Sequence, residues 1–347
     1  MKVEKKIIGN LTKCYSIAPL YYNGSNHFLV AAEKTDRCIL FDLDGREEET
    51  VWTEPGGVMT MVQVPGTDGQ FLATHKFYSP NDSKEAKIVI AAPTGTGKWD
   101  IRTLADLPFV HRFDILVRGG VRYLIACTLK SGHEYKDDWS SPGKVYAAVL
   151  PEDLSGYNES RQLELTVIMD GMLKNHGYCR VEEQKYDSCV ISAENGIYQF
   201  YPPEEPGMDW KIVPLLMEPA SDAVLVDLDG DGSRELAVIT PFHGETIRIY
   251  KKIEKEYERV YEYEKTAEFS HAIFGGMVCG KPAVIIGHRN GERNLLAFTY
   301  EKGGYQAQVL DQGCGSANVY RYSWKGKDVL VSANRETDEI AMYLLTP

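Results

Sequence analysis

Short apolar segments alternate with turn residues along the whole chain, and no long segment has clear helical periodicity. Segments such as HFLVAAEKT and RYLIACTLK are rich in β-branched and aromatic residues, and Gly, Asn or Asp residues lie between them. The segment IEKEYERVYEYEK is the nearest to a helix, but its alternation favours two strands. The pattern therefore predicts an all-β protein.

A strand–turn–strand unit recurs seven times, at a spacing of roughly 45 to 65 residues. Each copy has an apolar first strand, a turn at Gly or Asn, a second strand and usually two more strands. The copies open at Cys14, Val58, Val110, Asn175, Ser221, Ser270 and Ser316. Seven units of four strands predict a seven-bladed β-propeller that occupies residues 1–347 as one domain, although length alone also allows two domains.

The two ends of the chain support this count. The seventh unit has only three strands and finishes at IAMYLLTP, whereas the spare strand KVEKKIIGN precedes the first unit. We expect the spare strand to complete the last blade, because a closed ring has no exposed sheet edge.

The fifth unit contains VDLDGDGSRE in its first turn, with oxygen-bearing side chains at alternate positions. Asp227, Asp229, Asp231 and Glu235 suit a hard cation, most simply Ca²⁺. The twelfth position of this loop is Val238 rather than the glutamate of an EF-hand, and both flanks are strand-like. The sequence therefore predicts a structural calcium site in a β-hairpin.

The motif from Asp227 to Glu235 resembles the D-x-D-x-D-G-x-x-D/E loop of FG-GAP and VCBS repeat propellers, the integrin-type family. FDLDGREEE, which begins at Phe41, resembles it only in part, and the other units match in strand pattern alone. The resemblance implies a propeller fold with calcium in a blade hairpin, and it implies little about function.

Six of the eight histidines fall where the first strand of a unit begins or its second strand ends. In a propeller these two points lie at the same end of the central channel, here called the histidine mouth; the hairpins between them lie at the opposite end, the hairpin face. The six are His75, His111, His176, His243, His271 and His288. Polar groups that only solvate the channel are the alternative interpretation, but they do not explain the choice of histidine.

These positions predict a metal-assisted active site. His243, His271 and His288 come from neighbouring units and are the expected ligands of Zn²⁺ or Mn²⁺. The other catalytic candidates, which would move protons or hold a sugar carboxylate, are His75, His111, His176, Lys130, Arg289 and Arg335. The long connections KFYSPNDSKEAK and KSGHEYKDDWSSPGK are expected to overhang this mouth, either as lids or as solvated loops.

In architecture and in its histidines, the chain also resembles the propeller-fold sugar lyases and dehydratases: oligogalacturonate lyase, rhamnose–glucuronate lyase and aldos-2-ulose dehydratase. This resemblance implies a carbon–oxygen lyase or dehydratase that acts by β-elimination on an acidic or oxidised sugar. A metal-dependent lactonase or other hydrolase, and a non-catalytic binding propeller, remain as alternatives.

The composition limits the partners and the compartment. A formal net charge of −12 disfavours nucleic acid and anionic membrane surfaces, and no apolar run is long enough for a signal peptide or a membrane span. The seven cysteines are scattered without a C-x-x-C pair, so we expect reduced, mostly buried thiols in a cytoplasmic protein. A small-molecule or oligosaccharide substrate and a monomer or small homo-oligomer complete these expectations.

Overall fold

The computed structural model describes residues 1–347, which form 28 β-strands and no helix. The strands build seven antiparallel sheets of four strands each, arranged as the blades of a β-propeller. Neighbouring blades contact each other through their first strands, which therefore surround the central channel. The predicted seven-bladed fold is confirmed. IEKEYERVYEYEK forms no helix, but it supplies one strand, Glu256–Glu262, and only the end residue Ile253 of the strand before it, rather than the two strands expected. No segment forms a helix of the length and apolar character needed to cross a membrane.

The strand bounds follow the repeat, with the innermost strand of each blade given first. Blades 1 to 3 consist of β2 Cys14–Tyr22, β3 Ser25–Ala32, β4 Cys38–Asp42, β5 Glu47–Trp52; β6 Met61–Gln63, β7 Phe71–His75, β8 Lys87–Gly95, β9 Lys98–Asp106; and β10 Val110–Arg118, β11 Val121–Thr128, β12 Gly143–Val149, β13 Thr166–Met172. Blades 4 and 5 consist of β14 Gly177–Val181, β15 Ser188–Ala193, β16 Gly196–Tyr201, β17 Lys211–Leu216; and β18 Asp222–Val226, β19 Glu235–Thr240, β20 Thr246–Ile253, β21 Glu256–Glu262. Blades 6 and 7 consist of β22 Ser270–Val278, β23 Lys281–His288, β24 Leu295–Glu301, β25 Gly304–Asp311; and β26 Ser316–Trp324, β27 Lys327–Asn334, β28 Glu339–Thr346 and β1 Lys2–Asn10.

The N-terminal strand closes the ring. β1 pairs antiparallel with β28, from Lys2 opposite Thr346 to Asn10 opposite Glu339, and it forms the outer edge of blade 7. Because the last blade takes its fourth strand from the other end of the chain, the first and last blades cannot separate without breaking a sheet. The predicted role of this strand is confirmed.

The hydrophobic core is divided among the seven gaps between blades. Each gap contains one cluster of buried side chains contributed mainly by the two blades that face it. Alternate residues of each strand enter these clusters, as the period-2 pattern requires. All seven cysteines are free, and five of them are buried in the core, in agreement with the sequence expectation.

Candidate functional site

One residue at the start of each blade belongs to a group whose members contact one another across the channel, and we call these seven the ring residues. They are Tyr15, Met59, His111, His176, Ser221, His271 and Ala317. In six blades, the residue two positions earlier has a left-handed backbone conformation, with φ between 49° and 78°. In blades 1, 3, 6 and 7 the pairing with the second strand skips the ring residue. This bulge re-aims the side chain into the channel.

The ring histidines are oriented by the backbone of the next blade. The Nδ1 atoms of His111, His176 and His271 lie 3.2, 3.1 and 2.8 Å from the carbonyl oxygens of the following ring residues, His176, Ser221 and Ala317. A carbonyl only accepts a hydrogen bond, so each Nδ1 carries the proton. Each Nε2 is therefore left with a lone pair, and this arrangement is typical of a histidine that binds a metal.

Three histidines form a group suited to a metal ion: His176, His243 and His271. One nitrogen from each lies within 4.8 Å of the other two, and the Nε2 atoms of His176 and His243 are 3.2 Å apart. Two nitrogen ligands on a tetrahedral zinc ion, at about 2.0–2.1 Å from it, are separated by roughly 3.4 Å. The His176–His243 spacing is close to this value, and an all-imidazole donor set favours zinc over manganese.

Burial keeps this group in the form that binds metals. It lowers the pKa of His243 to about 3, and it holds the pKa values of His176 and His271 well below the usual value. All three imidazoles are thus neutral at physiological pH. His243 has a left-handed backbone conformation, with φ of 49°. Its imidazole lies between the rings of Phe242 and Phe269, whose centroids are 4.0 and 4.3 Å from the imidazole centroid.

Tyr15 completes the cluster, although the sequence analysis did not select it. Its hydroxyl oxygen lies 2.8 Å from His271 Nε2 and 3.4 Å from His111 Nε2. Because the His271 nitrogen has no proton, the tyrosine donates this hydrogen bond. Burial raises the pKa of Tyr15 to about 12. A search of every unit at the ring position, rather than a search for histidine, would have found it.

His288 does not join the cluster, so its assignment as the third ligand with His243 and His271 needs correction. Its Nδ1 lies 2.9 Å from the Asn290 carbonyl, and its Nε2 accepts a hydrogen bond of 3.0 Å from the Asn294 backbone. Both ring nitrogens are therefore committed to the turn that follows β23. His176 occupies the place that the sequence analysis gave to His288.

His75 and Lys130 also lie apart from the cluster. His75 is buried against Trp52, at 4.7 Å between ring centroids, and burial lowers its pKa to about 3. Lys130 is fully buried; its Nζ donates to Asn81 Oδ1 at 2.9 Å and to the Asp138 carbonyl at 2.8 Å, and it lies 4.1 Å above the Trp139 ring. The lysine fixes the loop after β11 and is not available to a substrate.

That loop reaches the cluster through one aromatic contact. The ring of Trp139 packs edge-on against Phe242 at 5.3 Å, and Phe242 stacks on His243. The expectation that the loop overhangs the histidine mouth is met at this point. Tyr135, in contrast, is exposed.

Arg289 and Arg335 belong to a closed ion-pair network. Glu336 Oε1 lies 2.9 Å from Arg289 Nε and 2.8 Å from Arg335 Nη1, and Arg335 also contacts Glu33. Both guanidinium groups are largely neutralised; Arg289 is buried and Arg335 is mostly buried. The network joins blades 6, 7 and 1 at the histidine mouth, and it leaves neither arginine free to hold a sugar carboxylate.

A polar cavity of about 210 Å³ lies inside the channel and meets the cluster at His271. Side chains from the innermost strands of all seven blades line it, among them Arg112 and Asp222. Burial raises the pKa of Asp222 to about 7, and the positive charge of Arg112 opposes this shift. Tyr178 and Ile273 line both this cavity and a groove of about 570 Å³ towards the hairpin face. The cavity therefore adjoins the end of the channel opposite the histidine mouth.

The acidic loop between β18 and β19 lies at the hairpin face, as expected, and it already contains a cation. Three of the four expected calcium ligands, Asp227, Asp229 and Glu235, converge within 4.8 Å. The Lys251 ammonium contacts Asp229 and lies 2.8 Å from Asp231 Oδ2 and 3.6 Å from Glu235 Oε1. Calcium at this loop therefore has to displace Lys251, which the sequence pattern did not indicate.

We expect Lys251→Met to make stability depend on calcium. The change removes the ammonium and leaves the carboxylates uncompensated, so the calcium-free variant should melt below the wild type. Millimolar Ca²⁺ should restore its melting temperature, because an ion that binds only the folded state stabilises it. The wild type should need at least about tenfold more Ca²⁺ than the variant for the same rise in melting temperature. The control is Lys252→Met, at the exposed neighbouring position of β20; a Lys251 variant that behaves like it would contradict the prediction.

Comparisons with known proteins bear on the fold only. No family model matches the sequence, and no curated protein matches it either. A solved structure described as "Structure of Dos1 propeller" matches with a TM-score of 0.57 and 8% sequence identity, over 95% of this chain and 77% of that chain. At this identity the match supports the propeller fold and says nothing about function. The resemblances to FG-GAP and VCBS propellers and to sugar lyases stay predictions.

Proposed function

We propose that the protein is a metal-dependent carbon–oxygen lyase or dehydratase that acts on an acidic or oxidised sugar by β-elimination. One observation carries the proposal: His176, His243 and His271 present neutral nitrogens to one point, with Tyr15 and His111 beside them. Such a group combines ligands for a metal with side chains that transfer protons. A binding propeller has no need for this combination.

The three histidines would hold a divalent transition metal, with zinc favoured by the donor set. When bound, the metal supplies a Lewis acid that polarises a carboxylate or ketone and acidifies the neighbouring C–H bond. The backbone carbonyls of Ser221 and Ala317 hold His176 and His271 in the required tautomer. Phe242 and Phe269 flank His243 and exclude water from this side.

Tyr15 and His111 are the proposed proton-transfer pair. In β-elimination a base removes the proton α to the carbonyl, its electron pair forms the C=C bond, and the β C–O bond breaks to release an oxygen that takes up a proton. His111 Nε2 has a lone pair to accept a proton, and the Tyr15 hydroxyl has a proton to donate. With His271 Nε2 held by a metal, Tyr15 would lose that acceptor, and its hydroxyl would be free to protonate the leaving oxygen.

The adjoining cavity suits a small substrate. Its volume of about 210 Å³ is below the range of drug-sized sites and is comparable with one sugar ring. An oligosaccharide would place one unit there and the remainder in the groove beyond Tyr178. The expected partner is thus a small molecule or an oligosaccharide.

The test is incubation of the zinc-loaded protein with uronate-containing oligosaccharides and keto-sugars, following the ultraviolet absorbance of the unsaturated product. Tyr15→Phe should lower kcat by about 10²–10⁴ at unchanged metal content, because it removes one proton-transfer group. Tyr21→Phe, at an exposed position of the same strand, is the control.

Two other outcomes would overturn the proposal. Hydrolysis without the chromophore would favour the lactonase or hydrolase alternative. Absence of turnover, together with ligand binding that is unchanged in the histidine variants, would favour a binding propeller.

A further inference from the structure

Arg112 is the cavity-lining guanidinium that has no carboxylate partner. It follows the ring residue His111 on β10, and its Nη1 donates to the Met59 carbonyl at 2.8 Å. No carboxylate oxygen lies within 4.0 Å of its nitrogens, whereas Arg180, which lines the adjoining groove, is paired with Asp114. Arg112 thus keeps most of its donors free in a partly buried site, where a guanidinium binds carboxylates bidentately.

No other polar group of the cavity forms an ion pair with Arg112. Asp114 accepts hydrogen bonds from Tyr178 and Arg180, both at 2.9 Å, so its charge is already balanced. Asp222 accepts a hydrogen bond from the Ala223 backbone and forms no ion pair with Arg112. Asn318 uses its Oδ1 to accept from the Val319 backbone, and its Nδ2 has no partner in the protein.

We propose that Arg112 binds the carboxylate of a ring-sized hydroxylated ligand in this cavity, and that Asp222 and Asn318 bind its hydroxyl groups. The inference rests on the proposed function only for the choice of a sugar acid. It also assigns the route: the ligand enters from the groove at the hairpin face, past Tyr178 and Ile273.

Size and charge both support this ligand class. The cavity accommodates about one sugar ring, and it presents one guanidinium without an ion-pair partner, near an acid and an amide. A neutral sugar would leave the guanidinium desolvated without an anionic partner, which is unfavourable. A sugar acid should therefore bind more tightly than the corresponding neutral sugar, and this difference in affinity should depend on Arg112.

The experiment is calorimetric titration of the full-length, EDTA-treated protein with D-galacturonate and D-glucuronate, with D-galactose and D-glucose as neutral probes. Removal of metal excludes a bound metal ion as the group that binds the carboxylate. At least one acid should bind about tenfold or more tightly than its neutral counterpart. Arg112→Met should abolish this difference, and Arg112→Lys should restore only part of it, because lysine lacks the planar fork.

Controls keep the result interpretable. Arg46→Met, at an exposed position of the β4–β5 turn, should bind like the wild type. If Arg112→Met fails to fold, Asn318→Ala is the second variant, and it should weaken binding of acid and neutral sugar alike.

Each outcome separates this inference from the proposed function. Equal binding of acid and neutral sugar, or no binding of either acid at millimolar concentration, overturns the assignment of Arg112 even if the enzyme turns over. Arg112-dependent binding without turnover supports the assignment and counts against the lyase.

Discussion

Replacement of His271 by alanine is expected to remove the bound metal and to reduce turnover by more than about a hundredfold. Loss of a residue that only orients a ligand costs about 10- to 100-fold, so loss of a ligand should cost more. His271 contributes one of three nitrogens, and its orientation is fixed by the Ala317 carbonyl. The same result is expected for His176→Ala and His243→Ala.

The matched controls are substitutions of two histidines that lie outside the proposed set of metal ligands, His288 and His111. His288→Gln should retain the metal, because His288 bonds only within its own turn. His111→Gln should retain the metal and lose turnover. Elemental analysis of purified variants, with circular dichroism to check folding, measures the first effect, and product absorbance measures the second. A His271 variant that keeps its metal, or a His288 variant that loses it, would contradict the assignment.

Deletion of residues 1–10 is expected to prevent stable folding. It removes β1, whose ladder with β28 extends from Lys2 to Asn10. At about 1 kcal/mol for each backbone hydrogen bond, such a ladder contributes on the order of 5–10 kcal/mol. This is comparable to the whole free energy of unfolding of a typical domain. The deletion also leaves β28 as an unpaired edge that favours aggregation.

A circular permutant tests whether stability depends on the presence of β1 itself or on its covalent connection to β2. Because Lys2 lies opposite Thr346, a two-residue Asn-Gly turn can join residues 2–10 to the C-terminus as a hairpin. This chain should melt cooperatively near the wild-type temperature, whereas residues 11–347 alone should not. Equal melting of the truncated and complete chains would rule out the closing role of β1.

The sequence predicts the fold because the relevant signals are local. Alternation, turn residues and the spare strand each act within one repeat or at a chain end, and seven repeats reinforce the pattern. The same repeat offset places His111, His176 and His271 correctly at the channel. The position of a side chain along its blade can thus be read from the sequence.

Side-chain contacts, within a blade or between blades, cannot be read in the same way. Arg335 pairs with Glu33, which lies 302 positions away, so the sequence gives no sign that the arginine is neutralised. Lys251 enters the acidic loop from the next strand of the blade. His288 is the last residue of β23, whereas His243 lies three positions beyond the end of β19 in a left-handed conformation, and only His243 reaches the cluster. Each error concerns the direction or the partner of a side chain, which the alternation of apolar and polar residues along a strand does not specify.

Because the ring histidines are hydrogen-bonded to carbonyls of neighbouring blades, the geometry of the histidine cluster depends on the number of blades. Each imidazole takes its tautomer and direction from the adjacent blade, so the angle between neighbouring blades determines where the Nε2 atoms meet. A ring with six or eight blades would change every such angle together. Duplication or loss of a repeat, the simplest evolutionary change in a propeller, would therefore disperse the cluster even if the new ring folded. Selection that preserves this cluster would in this way also act against any change in the number of blades.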